Sequence, residues 1–230
     1  CFEQVIELWW GEAPYNLKGD YYTGSTEITF TPEIGQGIAP KPLHNPHPPI
    51  VVSALAPHSQ GITLAAERDW HPISCQYVQA HWVKTHLPKY LEGLANAGKE
   101  PDPTGWRGAK CIFVSEDKTT ALRYAKSADG PYGFYFSNLM KKLSGGGRLG
   151  LFGTYPDQPE EEITLEQSLE TQVIAGTPES VAEQILALRE EIGNFGTLVY
   201  TGLDWADKDL SIKSMELMAN QVMPKVNAAL

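Results

Sequence analysis

Long apolar runs are missing from this sequence. No stretch reaches the roughly 18 continuous apolar residues that a membrane-spanning helix needs, because Glu, Lys or Pro interrupts each apolar segment within a few positions. Basic residues are scarce: 18 Lys and Arg stand against 28 Asp and Glu, a formal net charge of −10 with a pI near 5.1. That sign repels phosphate backbones and anionic lipid, so neither a nucleic acid nor a membrane is expected as partner. Cysteine is scarce too. Cys1, Cys75 and Cys111 are odd in number, far apart and outside any CxxC pair. Neither a disulfide framework nor a zinc site is favoured, and a soluble protein in a reducing, cytoplasmic setting fits best.

What is present can fill a core. Apolar residues make up 42% of the 230, with six Trp and seven Phe, enough for one large domain or two small ones. Phe2, Val5, Ile6 and Trp9 recur at the i, i+3, i+4, i+7 spacing of an amphipathic helix, yet no cap, initiator Met or signal pattern precedes them. The expectation is the C-terminal part of a longer protein, with a trimmed natural N-terminus as the alternative. Residues 11–49 are rich in Gly and Pro and close on Asn45-Pro46-His47-Pro48-Pro49, which predicts a long ordered loop.

From residue 50 onward, strand and helix signals alternate. The β-branched run 50–55 predicts a strand buried on both faces, followed by the turn Ala56-Pro57-His58-Ser59 and a helix carrying Ile62, Ala65, Ala66 and Trp70. Residues 72–75 predict a second strand. Trp82, Val83, Leu87, Tyr90, Leu91 and Leu94 predict one helix over 79–97. A third strand at 110–115 leads into a helix over 117–126 capped by Asp117. Residues 129–172 interrupt the rhythm with Tyr132, Phe134, Tyr135 and Phe136, with Gly145-Gly146-Gly147 and with Glu160-Glu161-Glu162; the segment is too long for an ordinary connection. It reads as a lid or dimer element with a flexible tip at the glycines and a solvated acidic face. Thr177-Pro178-Glu179 starts a helix that Gly193 ends. A fourth strand at 197–201 precedes a closing helix over 210–222, with Met215, Met218, Ala219 and Val222 on one face and Pro224 as its stop.

Four strands alternating with four helices predict a parallel α/β architecture. A full eight-unit barrel takes roughly 250 residues, so with the loop and the insertion only half a barrel fits. No GxGxxG fingerprint follows a strand and there is no P-loop, so the common nucleotide-binding versions lack their markers. His81 and His86, five apart, do not share a helix face as a zinc pair would, and Asp204, Asp207 and Asp209 lack calcium-loop spacing and read as helix caps.

At this point the residues resemble a known family, the luciferase-like flavin-dependent monooxygenases of the bacterial luciferase and limonene monooxygenase type. The resemblance rests on Pro46-His47-Pro48-Pro49-Ile50-Val51-Val52, Ala56-Pro57-His58-Ser59, Ala65-Ala66-Glu67-Arg68, Asp69-Trp70-His71-Pro72-Ile73-Ser74, Gly176-Thr177-Pro178-Glu179, Phe195-Gly196-Thr197-Leu198, Asp204-Trp205, and Ser214-Met215-Glu216-Leu217-Met218 followed by Val222-Met223-Pro224. It implies a (β/α)8 TIM-barrel fold with an insertion, of which 1–230 is one N-terminally truncated luciferase-like domain, units five to eight, with 129–172 as insertion or lid. It further implies reduced FMN from a separate flavin reductase, O2 and a small organic substrate. The deazaflavin F420 is a less favoured cofactor, and a catalytically incomplete flavin-binding fragment is the other alternative. The family's flavin-facing groups on the first four strands, including a catalytic His, would lie outside this sequence, so no catalytic residue is assigned. The open strand edges of half a barrel predict a homo-oligomer.

The resemblance also assigns Ser53, Ala54, Ala56, Pro57, His58 and Ser59 to the FMN phosphate. The physics agrees: a strand's end leading into a helix N-terminus offers unpaired N–H donors, and Ser59 can cap the helix and touch phosphate. Otherwise Ser59 is a cap only and His58 a solvated loop residue. Ser74, Cys75 and Gln76 end the second strand, where barrel enzymes keep their sites, and are candidate pocket residues; Cys75 is equally a small buried hydrophobe. The aromatic cluster at 132–136 covers the pocket or forms a satellite core.

Overall fold

The computed structural model describes residues 2–203 and 206–230; Cys1, and Asp204 and Trp205 of the quoted stretches, lie outside the described residues. The chain divides into two units, Cys1–Ile50 and Val51–Leu230. In the first, the expected helix is present as α1 (Phe2–Trp10). The expected loop contains a small antiparallel hairpin, β1 (Asn16–Lys18) and β2 (Thr23–Ser25), with Asn16 opposite Ser25. No apolar alternation announces it. Its register rests on backbone pairing and on the Tyr15 N–H, which donates to Thr26 Oγ1 at 2.9 Å. Trp10 Nε1 donates to the Pro46 carbonyl at 3.0 Å, and the His47 ring stacks 6.0 Å from Trp10.

The second unit is built on a parallel five-stranded sheet: β3 (Val51–Ala54), β4 (His71–Ser74), β5 (Arg107–Val114), β6 (Val173–Gly176) and β7 (Thr197–Thr201). β5 is the longest and organises the rest. Gly108 pairs with Ser74 and with Leu198, while Cys111 pairs with Val173 and with Thr201. A strand residue has only two sides, so β4 and β6 follow one another along one edge of β5 and β7 takes the other. Alternation along β5 sends successive side chains to opposite faces. Ile112 and Val114 pack with Ile62, Tyr90, Val181 and Ile185. Cys111 and Phe113 pack with Ala121, Tyr124, Tyr132 and Phe136. Burial on both faces explains the continuous apolar run of β5; β3, expected to be buried on both faces as well, is instead exposed at Val51 and Ser53.

The helices are α2 (Gln60–Glu67), α3 (Ala80–Val83), α4 (His86–Asn96), α5 (Lys118–Ala125), α6 (Pro131–Ser144), α7 (Leu165–Gln172), α8 (Pro178–Ile192), α9 (Lys208–Leu217) and α10 (Met223–Ala228). The capping expectations hold at three starts. The Asp117 carboxylate accepts from the Thr119 and Thr120 N–H groups, Thr177 from Ser180, and Asp207 from Leu210.

Four features differ from the sequence reading. The helix expected over 79–97 is two helices, because Pro88 has no N–H and its ring would strike the Lys84 carbonyl of a continuous helix. β6 was not foreseen: it is four residues squeezed between the end of α7 and the cap Thr177. Tyr132 and Phe136 are fully buried, which makes these two aromatics of 129–172 core rather than cover, whereas Phe134 is exposed. Finally, Pro224 does not stop the last helix. A π-helical stretch, Met218–Val222, widens the coil ahead of it and Pro224 sits in the first turn of α10. The buried face there is Ser211, Ser214, Leu217 and Val222, and Met215 is exposed. Serines are inside because the sheet needs them: Ser214 Oγ accepts from the Val114 N–H at 2.8 Å, and Ser211 Oγ donates to the Leu203 carbonyl at 3.0 Å.

Candidate functional site

The loop from β3 to α2 is five residues long and is held from beneath. The Ala54 carbonyl accepts from the Cys75 N–H at 3.0 Å, which fixes the strand end. His58 adopts a left-handed backbone, φ 52°, and its N–H donates to Thr85 Oγ1 at 2.8 Å. Thr85 Oγ1 in turn donates to the Trp82 carbonyl at 2.6 Å. Two residues before His58, the Ala56 carbonyl accepts from His86 Nε2 at 3.0 Å. Thr85 and His86 are adjacent because the helix breaks there. The break imposed by Pro88 therefore places two side chains under the loop.

Ser59 occupies the N-cap position of α2, but its hydroxyl makes no capping hydrogen bond, contrary to the expectation. The backbone there, ψ 117°, is the extended form usual for a cap, and the hydroxyl is left without a helix partner although the geometry permits one. The first N–H groups of α2 lack intrahelical partners, as at any helix start. Beside this loop lies a cleft of about 410 Å3 lined by Leu55, Ala56, Pro57, Gly147, Arg148, Gly150, Leu151 and Glu160. Arg148, directly after the triple glycine of 129–172, thus shares this cleft with the loop.

Of the residues singled out in the sequence, Ala56 and Pro57 line the cleft. Ser53, Ala54, His58 and Ser59 stand in the strand and loop that build its wall without lining it. Ser74 is only 1% exposed and its Oγ lies between Trp106 Nε1, 2.9 Å away, and His86 Nδ1, 2.8 Å away. It supports the loop from below. Cys75 is half-buried, and burial pushes its thiol up from the usual range. Gln76 donates to the Tyr135 hydroxyl at 2.6 Å. Neither lines this cleft. Arg148, Thr85, His86 and Trp106 were missed. The signals were present: a cation directly after three glycines, and a Pro inside an otherwise helical pattern.

His86 is fully buried, and burial holds its imidazole below the ordinary histidine range, with the neighbouring charge of His58 pushing the same way and the Ala56 carbonyl opposing. Lys110, also buried, donates to the Val78 carbonyl at 3.2 Å and is held down at about 8 by desolvation.

The cleft thus sets a strand-to-helix loop beside Arg148 and Glu160. The chain belongs to the luciferase-like monooxygenase family, whose profile matches residues 2–194. It is 26% identical over 230 aligned residues to 3,6-diketocamphane 1,6-monooxygenase of Pseudomonas putida, covering 96% of this chain and 60% of that one. It is 28% identical over 162 residues to limonene 1,2-monooxygenase of Rhodococcus erythropolis, covering 70% of this chain and 37% of that one. Among solved structures, the oxygenating constituent of the P. putida 3,6-diketocamphane monooxygenase, a type II Baeyer–Villiger monooxygenase in complex with FMN, superposes with a TM-score of 0.74 at 24% identity. That match covers 97% of this chain and 60% of the other. An F420-dependent secondary alcohol dehydrogenase in complex with an F420-acetone adduct superposes with a TM-score of 0.60 at 19% identity, over 96% of this chain and 58% of the other. The structural likenesses establish the fold, a parallel α/β sheet of the TIM-barrel type in partial form. The chain spans about 60% of the length of the diketocamphane 1,6-monooxygenase it matches.

Proposed function

We propose that this chain is the flavin-phosphate and pocket-wall portion of an FMN-dependent monooxygenase that uses reduced flavin and O2 to oxygenate a small organic substrate. The observation that carries the reading is the placement of Arg148 in one cleft with Ala56 and Pro57, beside a helix start whose cap hydroxyl has no helix partner. Arg148 and the start of α2 fit a phosphate monoester, with the Glu160 carboxylate in the same lining opposing them. Arg148 supplies charge and paired N–H donors, the N-terminus of α2 supplies backbone donors and a favourable dipole, and Ser59 supplies a hydroxyl. The bound flavin would supply the oxygen chemistry. The protein's share is to grip the phosphate, orient the ring system and keep water out.

Residues 129–172 would act as the lid over this end of the domain, anchored by the buried Tyr132 and Phe136 and with Gly145–Gly147 as its flexible tip. The remaining finer elements of the proposal are a single luciferase-like domain, a separate reductase that delivers the flavin, self-association through open sheet edges, and a cytoplasmic setting. The sequence relatives that favour oxygenation are monooxygenases by name, whereas the F420-dependent neighbours share the fold alone. FMN therefore ranks above F420.

The test is an equilibrium titration of the 230-residue chain followed by flavin fluorescence, with FMN, riboflavin and F420 compared. FMN is expected to bind at least about tenfold more tightly than riboflavin, a difference of about 1.4 kcal/mol. Equal affinity for FMN and riboflavin would remove the phosphate site, and F420 binding tighter than FMN would exchange the cofactor.

A further inference from the structure

Three buried side chains from three elements form a hydrogen-bonded series that ends on the loop. Trp106 Nε1 is 2.9 Å from Ser74 Oγ, Ser74 Oγ is 2.8 Å from His86 Nδ1, and His86 Nε2 is 3.0 Å from the Ala56 carbonyl. An indole N–H can only donate and a carbonyl can only accept. For a neutral imidazole the two ends therefore set the direction of every bond between them. His86 carries its proton on Nε2, its Nδ1 is bare, and the Ser74 hydroxyl donates to it. Trp106, Ser74 and His86 are at most 1% exposed, so solvent does not compete for these bonds.

The consequence falls on the loop. With its oxygen drawn inward by His86, the Ala56 carbonyl keeps its negative end away from the cleft, where it would repel an anion. Pro57 has no N–H to offer, so the peptide that joins the two residues contributes neither donor nor acceptor to the cleft. At His58 the left-handed backbone is fixed by the bond to Thr85 Oγ1. Two points of the loop are thus held by two consecutive residues, and neither touches the cleft.

We infer that His86, tied to Trp106 through Ser74 and assisted by Thr85, is the positioning residue that holds the Ala56–Pro57–His58 turn in its anion-accepting form. The inference rests on the phosphate reading above and adds the residues that make the site work at a distance.

His86→Leu, His86→Gln and Thr85→Val, each titrated with FMN and with riboflavin, provide the test. His86→Leu is expected to lower FMN affinity about tenfold and leave riboflavin affinity within about twofold, because only the phosphate end depends on the turn. His86→Gln retains an N–H for the Ala56 carbonyl and should recover most of the loss. Thr85→Val, which removes the acceptor for His58 at a half-buried position, should shift the ratio in the same direction even where His86→Leu fails to fold. If the FMN-to-riboflavin ratio of Thr85→Val and of whichever His86 variants fold equals that of the unchanged protein, the positioning role is wrong although the phosphate site stands. If the unchanged protein itself does not distinguish the two flavins, the phosphate reading falls first and this inference with it.

Discussion

His86 Nε2 donates to the Ala56 carbonyl across 3.0 Å and thirty residues of chain, joining the start of α4 to the loop that leaves β3. The bond exists because Pro88, two residues further along α4, interrupts the helix ahead of His86, so that the break serves the loop. Several expected outcomes depend on this connection and on the packing around it.

Ser74→Ala would strand two buried groups, Trp106 Nε1 and His86 Nδ1. Each costs about 1–3 kcal/mol when left without a partner in the interior. A loss of about 2–5 kcal/mol in urea-induced unfolding is expected, with Ser74→Thr recovering part of it. A loss below about 1 kcal/mol would mean that the series is not closed as drawn.

Arg148 is exposed beside the loop, so its contribution is to ligand affinity rather than to stability. Arg148→Met should weaken FMN binding several-fold at low salt, by less at 0.5 M salt, and leave riboflavin and the unfolding midpoint unchanged. Screening of an exposed charge demands the salt dependence. An effect on both flavins alike would place Arg148 against the ring system instead.

The pH dependence of stability has a fixed sign. His86 is held below its ordinary value, first by burial and secondarily by His58, and burial lowers His81 as well. A group whose folded value is depressed contributes its stability fully above the unfolded value, near 6.5, and loses it as pH falls toward the folded value. The urea midpoint should therefore fall between pH 7 and pH 5, and fall less in His86→Gln. A midpoint that rises over that range would contradict the buried, neutral imidazole.

Gly93 is where α4 crosses α2. A Cβ there would lie 2.3 Å from the Thr63 carbonyl oxygen and 2.7 Å from Ala66 Cβ, both backbone-fixed. Gly93→Ala should destabilise by about 1–3 kcal/mol through overpacking, with a matching drop in Tm.

The two described cysteines should separate in alkylation followed by peptide mapping. Burial pushes the Cys111 thiol up to about 12, so at pH 8 it should stay unmodified until the protein unfolds. Cys75, half-buried and also raised, should react slowly but measurably in the folded state.

The parts of the fold that sequence disclosed are those carried by period and by caps. The run at β5 is apolar because both faces of the sheet are covered there, the shorter runs at β3, β4 and β7 were legible from their place between helices, and Asp117, Thr177 and Asp207 announce their helices by local chemistry. β6 escaped because it follows α7 directly, with no turn residue between Gln172 and Val173 to mark its start. Of the face expected for the last helix, Met218 and Val222 turn inward but Met215 and Ala219 do not, because Ser211 and Ser214 satisfy buried backbone groups of the strand and loop they pack against, a need visible only once β5 and α9 are side by side. At the site, the loop itself was legible through its strand-to-helix pattern. Its supports were not. Ser74, His86 and Trp106 are 12 and 32 residues apart in sequence and meet only in the folded core. Arg148 sits 91 residues from Pro57 and reaches it through the turn after α6.

The most direct measurement labels the chain with 15N and follows the amide resonances of Ala56, His58, Ser59, Gln60 and Gly61 during addition of FMN and, separately, riboflavin. A phosphate held at this loop predicts large, saturable shifts at these amides with FMN, small ones with riboflavin, and loss of the FMN shifts in Arg148→Met. Equal shifts with both flavins, or FMN shifts confined to other residues, would contradict the assignment of the 53–59 loop to flavin phosphate.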